Sequence, residues 1–247
     1  MSAATAPTSP GPSLASLPAG KPCTETLAPP QPPIKTHWSL ADLQDYLGGI
    51  PARRIRLYPP PGFATLADVE RIDANEDRLC EFEHGVLVEK TMGFYESEVA
   101  LEIIFYLQLY LKKNPIGKLG GSDGGLVFKP GIMRMPDATF ISFERVPEEG
   151  MKTPAYPAVV PDLVVEVLSE GNTKGEMDRK LNLYFESGVR LVWYVDPASR
   201  RAKQFSSVEQ STEIDETGVL LGGDVLPGLE IQLADVFVAA DRQKEGI

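Results

Sequence analysis

Residues 161–197 read PDLVVEVLSEGNTKGEMDRKLNLYFESGVRLVWYVDP, and this stretch decides the fold. PDLVVEVLS is a β-branched run bounded by Pro161 and Ser169, the pattern of a buried strand. NTKGEMDRKLNLYFESG (172–188) is amphipathic at helical spacing, and Gly188 ends it. VRLVWYVDP (189–197) is a second buried strand that stops at Asp196-Pro197. Strand, helix and strand in that order make an α/β unit. Period-two alternation groups Asp162, Val164, Glu166 and Leu168 on one face of the first strand. A glutamate inside so apolar a strand is costly unless it is paired or binds a metal.

Working outward, HWSLADLQDYLGGI (37–50) predicts a short helix with Ser39 as N-cap and Gly48-Gly49 as its end. The stretch 52–73 reads as a connector carrying a second short helix. DRLCEFEHGVLVEK (77–90) alternates around Gly85 and predicts a hairpin. The longest helical pattern runs from Tyr95 to Lys113, with Val99, Ile103, Tyr106 and Tyr110 on one face. Residues 120–147 predict two strands around a Pro-Gly turn. RAKQFSSVEQ (201–210) and the segment after it suggest edge strands, and LADVFVAA (233–240) a last helix. The expected fold is α/β, a mixed β-sheet flanked by helices.

The 247 residues are 43% hydrophobic, enough for one sizeable core. Residues 1–35 hold nine of the 22 prolines and read as a disordered Pro-rich tail, leaving 36–247 as the folded domain. No apolar run is long enough for a transmembrane helix, and, lacking a basic region followed by an apolar stretch, the N-terminus is not expected to be a signal peptide. Cys23 and Cys80 make neither a disulfide framework nor a zinc cluster. A cytoplasmic protein without membrane contact is the expectation. The net charge of −11 argues against tight non-specific DNA binding, which needs clustered Lys and Arg. Between Lys174 and Lys203, seven basic residues face four acidic ones, a candidate phosphate-facing surface or simply a solvated face.

Three residues carry chemistry. Asp137 opens the apolar strand of RMPDATF (134–140), Glu166 sits mid-strand, and Lys180 lies one helix later beside Leu181, Tyr184 and Phe185. Two carboxylates and an ammonium suit metal-assisted phosphodiester hydrolysis, since hard oxygen ligands hold Mg²⁺ and leave room for water and phosphate. The ammonium would offset charge developing on the phosphorane. Spacing alone leaves the bland readings open: Asp137 as a turn cap, and Glu166 with Lys180 as a structural ion pair.

From about Trp38 to Phe237 the chain resembles the Uma family of restriction endonucleases, within the PD-(D/E)XK nuclease superfamily. The resemblance is densest in 161–197 and is supported by RMPDATFIS (134–142), CEFEHGVLVEK (80–90) and DVLPGLEIQLADVF (224–237). It implies a restriction-endonuclease-like fold, DNA as substrate, Mg or Mn as cofactor, and admits a homodimer. Asp137 and Glu166 match the metal-binding acidic positions; Leu168 stands where the motif lysine is expected, and Lys180 occupies the place of a lysine moved to the following helix. Glu96 of YESEVA matches the first-helix acidic position, where many relatives carry histidine. Glu81 and Asp162 also match family positions, without an assigned role. The implied activity is a Mg-dependent endodeoxyribonuclease using Asp137, Glu166, Lys180 and Glu96. The alternatives are a non-catalytic nucleic-acid-binding or interaction module that keeps the fold, and a hydrolase of another phosphoester.

Overall fold

A computed structural model describes residue 34 and residues 38–241 apart from 77 and 149. The expected tail therefore lies outside the described residues except for Ile34, which packs with Trp38 and Tyr46 on Leu43, Leu47 and Ile50. In chain order the elements begin with α1 (Leu40–Tyr46), α2 (Leu66–Glu76), β1 (Cys80–Glu83), β2 (Val86–Glu89) and α3 (Phe94–Lys113). Next come β3 (Gly117–Gly120), β4 (Leu126–Lys129), β5 (Ile132–Arg134), β6 (Ala138–Ser142), β7 (Leu163–Val167) and α4 (Lys174–Ser187). The chain continues through β8 (Leu191–Asp196), β9 (Arg201–Phe205), β10 (Ser211–Ile214), β11 (Val219–Leu221), β12 (Glu230–Gln232) and α5 (Leu233–Ala240).

The main sheet has the order β10-β9-β8-β7-β6-β3. Only β7 and β8 are parallel, as a strand–helix–strand crossover through α4 requires. The other pairs are antiparallel, so the sheet is mixed and flanked by helices. Its two faces are sorted by the alternation of β7. Leu163, Val165 and Val167 pack with Val99, Ile103 and Leu107 of α3 and with α5. Val164 faces the other way, against Met177, Leu181 and Tyr184 of α4. The buried stripe of α3 is Val99, Ala100, Ile103, Leu107 and Leu111, with Tyr106 and Tyr110 at its margin rather than its centre.

Two expectations need correcting. Residues 120–147 hold three strands, not two, and they divide between sheets. β4 and β5 pair across Pro130-Gly131 and join β1 and β2 in a separate antiparallel sheet of order β2-β1-β5-β4. After β5 the chain passes through Met135–Asp137 and enters the main sheet as β6. The strand β3 has no counterpart among the expected elements. β9 is also internal to the sheet, with only β10 on that edge.

Short contacts fix α4 against this framework. Thr173 caps the helix by accepting from Glu176 N at 3.1 Å, and its hydroxyl donates to Gly48 O at 2.7 Å. Gly48 lies so close that a Cβ there would sit 2.4 Å from Glu176 N, and its φ of +84 suits glycine. Gly188 closes the helix in the left-handed conformation.

Candidate active site

The β6–β7 register pairs Ala138 with Val165, which brings Asp137, just before β6, beside the Glu166 end of β7. Asp137 N donates to Val165 O at 3.0 Å, and Asp137 Oδ2 accepts from Val167 N at 2.6 Å. The pair lies at strand ends in the middle of the main sheet. Both residues are buried, at 2% and 4% exposure.

Lys180 reaches this site from α4. Its Nζ is 3.2 Å from Glu166 Oε1 and 2.9 Å from Glu81 Oε1. Tyr184, one helical turn later, donates its hydroxyl to Glu166 Oε1 in a short hydrogen bond. Glu81 thereby acquires a place: it accepts from Met135 N at 3.3 Å and lies 3.7 Å from Arg134 Nε. Arg134 also pairs with Glu83, which Arg179 contacts from the other side.

Two residues that sequence reasoning missed complete the arrangement. Lys90 follows β2, and its Nζ lies 2.7 Å from Asp137 Oδ1 while donating to Ser122 O and Met135 O at 2.9 and 2.7 Å. Arg54 grips Glu176 with two nitrogens at 2.7 and 2.8 Å, donates to Gly171 O, and donates through Nε to Glu89 O at 2.9 Å. It thus ties the start of α4 to the end of β2, holding Lys180 and Lys90 in one frame. The sequence signal for Lys90 is slight, a lysine directly after the VLVE strand.

The charges balance. Four carboxylates (Glu81, Glu83, Asp137, Glu166) meet four cations (Lys90, Arg134, Arg179, Lys180). Burial pushes the Glu166 carboxyl up; Lys180 pulls it down, Asp137 and Glu81 push it up again, and the balance leaves it at about 7. Burial also acts to raise Glu81, but Lys180 and Arg134 outweigh it and bring that carboxyl down to about 2. Burial opposes the charge on Lys180, yet Glu166 and then Glu81 hold its ammonium above the ordinary value.

The Glu81 shift predicts acid behaviour. A folded value below the ordinary 4.5 means that the ionised carboxylate contributes stability above pH 4.5 and loses it as pH falls towards 2. Urea midpoints should drop through that window in the native chain and drop less in Glu81→Gln. Equal slopes would show that Glu81 is not held ionised by its neighbours.

The remaining sequence candidates lie elsewhere. Glu96, in the first turn of α3, is half-buried and folds back over Gly93. Among the described residues it makes none of the cluster's ion pairs, but it does line an open groove of about 1370 Å³ beside the site. Asp162, at the other end of β7, accepts from Ser142 N at 2.8 Å and pairs with Arg145 at 3.1 Å, so it fixes the strand start. The basic run of 174–203 does not converge on one surface. Lys174 and Lys203 line the groove, whereas Arg190 pairs with Asp162 and Arg200 with Glu216 and Asp241.

The donor chemistry of Asp137 and Glu166 fits a hard divalent cation. Asp137 Oδ1 is buried and lies 2.7 Å from the Lys90 ammonium. Among the described residues no third His, Cys, Asp or Glu closes a metal-binding group around them, which leaves such an ion dependent on water and substrate oxygens.

Comparison with known proteins shows the family and the fold. No curated protein matches the chain. Among solved structures it is similar to a protein from Anabaena variabilis, described as a "putative nuclease belonging to DUF820", with a TM-score of 0.59 and 16% identity over 66% of this chain and 92% of that one. That likeness establishes a shared fold. A family model described as "Putative restriction endonuclease", Uma2, matches residues 66–234, a span that runs from α2 to the start of α5 and includes every residue of the buried charge cluster. The chain belongs to the Uma2 family.

Proposed function

We propose that the protein is a metal-dependent endonuclease that hydrolyses DNA phosphodiester bonds at Asp137 and Glu166. One observation carries this reading: two buried carboxylates lie together where β6 begins and β7 ends, with the Lys180 ammonium 3.2 Å from one of them. Family membership supports the nuclease assignment. Asp137 and Glu166 would hold Mg²⁺ or Mn²⁺, which supplies Lewis-acid chemistry at the scissile phosphate when bound. Lys180 keeps Glu166 oriented and places a fixed positive charge behind the carboxylates, where it offsets charge developing on the phosphate. Tyr184 fixes the same carboxylate from the helix side. Glu96, on the groove wall, is a candidate to order water or backbone near the phosphate.

The groove, which Lys90 and Glu96 line and behind which Asp137 and Glu166 lie buried, is the path by which nucleic acid would approach. It is lined by charges of both signs, among them Arg53, Lys174 and Lys203 against Glu96, Asp178 and Glu209. That mixture, with the net charge of −11, favours weak or partner-assisted DNA binding over a tight non-specific grip. The test is nicking of supercoiled plasmid by the full chain with Mg²⁺ or Mn²⁺, and with EDTA as control. Open circles that form only with metal are the expected result. A chain that nicks neither double- nor single-stranded DNA with either metal is instead a nucleic-acid-binding or interaction module on a nuclease fold.

A further inference from the structure

Lys90 differs from the other cations of the cluster in where it stands. It touches Asp137 on one side and lines the open groove on the other. Lys180, by contrast, is sealed between Glu166 and Glu81 and does not line that groove. The side chain of Lys90 is 8% exposed, and its ammonium meets three acceptors: one carboxylate oxygen and the main-chain carbonyls of Ser122 and Met135. The carboxylate it neutralises is the one held beside Glu166 by the Val167 amide.

An ammonium and a divalent cation cannot share Asp137 Oδ1. Within about 4 Å of each other their repulsion in a buried site would be several times that in water. One of them must leave. The lysine can do so, because its four-carbon stem is flexible and the groove offers its charge both water and phosphate.

We propose that Lys90 is an exchangeable counter-ion: it neutralises Asp137 in the metal-free protein, and a divalent cation expels its ammonium into the groove, where it meets a substrate phosphate. This rests on the nuclease reading above. It gives the site two lysines with different tasks. Lys180 stays behind the carboxylates, and Lys90 moves to the substrate side. It also makes the metal-free protein self-neutralised at the position where an unpaired buried carboxylate would be most costly.

The test is Mn²⁺ binding by calorimetry to the full chain and to two variants. Lys90→Met removes the charge; Lys90→Gln removes it but keeps an amide donor for the Ser122 and Met135 carbonyls. Both should bind Mn²⁺ more tightly than the native chain, by roughly 10- to 100-fold, the range over which neighbours of metal ligands tune affinity. Adding Asp137→Asn to either variant should cancel the gain. In the native chain, saturating Mn²⁺ should raise acetylation of Lys90 by acetic anhydride several-fold, read by mass spectrometry, while the exposed Lys118 labels unchanged. Measurable Mn²⁺ binding that is equal in native chain and variants would overturn the counter-ion role and leave the nuclease reading standing. No Mn²⁺ binding by any of them would overturn both. If the variants do not fold, the labelling decides: Lys90 reactivity unmoved by bound Mn²⁺ overturns the exchange.

Discussion

Lys180→Met should lower the unfolding free energy by about 3–5 kcal/mol, the cost of stranding buried charge when one partner of a buried pair is removed. The lysine is 5% exposed and is the ionic partner of both Glu166 and Glu81. Methionine matches its length and helix preference, so propensity and volume change little. What changes is that two buried carboxylates lose their shared cation. Glu166, already raised to about 7, would then take up a proton at neutral pH, and Glu81 would lean chiefly on Arg134. Pairing the change with Glu81→Gln removes one of the stranded charges and should recover part of the loss. Denaturation in urea measures both variants. A loss below about 1 kcal/mol, the scale of an exposed ion pair, would show that Lys180 reaches water and does not hold the cluster. Read from sequence alone, the same substitution would only delete a charge from an intact helix. Burial is what makes it structural as well as chemical.

That contrast marks how far the sequence could be read. The β7–α4–β8 unit was legible because each segment has its own period and its own stop: β-branched residues between Pro161 and Ser169, helical spacing closed by Gly188, and a second apolar run. Asp137, Glu166 and Lys180 could be singled out because each is a charge in apolar company. Their partners could not. Lys90 meets Asp137, and Arg134 meets Glu83, only after two hairpins have stacked into a second sheet. No local period encodes such a meeting. The second sheet itself was hidden at Met135–Asp137, where an apparently continuous strand pattern switches from one sheet to the other. β3 was hidden for a different reason. Its sequence, GKLG, has little strand propensity, and it is a strand because β6 pairs with it. Gly117 allows that pairing, since a Cβ there would lie 2.3 Å from Ile141 O.

Asp137→Asn should abolish metal-dependent nicking, by at least about a hundredfold, while leaving the fold in place. Asparagine rather than alanine is the informative change. Asp137 Oδ2 accepts from Val167 N inside the sheet, and an amide oxygen can keep that bond, whereas alanine would leave a buried N–H unpaired. The amide then turns its NH2, a donor, towards the Lys90 ammonium, which must draw back; the lysine keeps two carbonyl acceptors and sits beside the groove. Glu166 loses a repelling neighbour, so its carboxyl should ionise more readily. These effects partly offset, and stability should change by no more than about 1–2 kcal/mol. Metal affinity should instead fall steeply, because a cation held by two carboxylates has few protein ligands to lose. Three measurements separate the outcomes: a melting curve, Mn²⁺ calorimetry and plasmid nicking. A folded variant that binds no Mn²⁺ and nicks no DNA places the metal at Asp137. A folded variant that nicks at the native rate removes Asp137 from the chemistry and leaves it as the residue that closes the β6–β7 ladder.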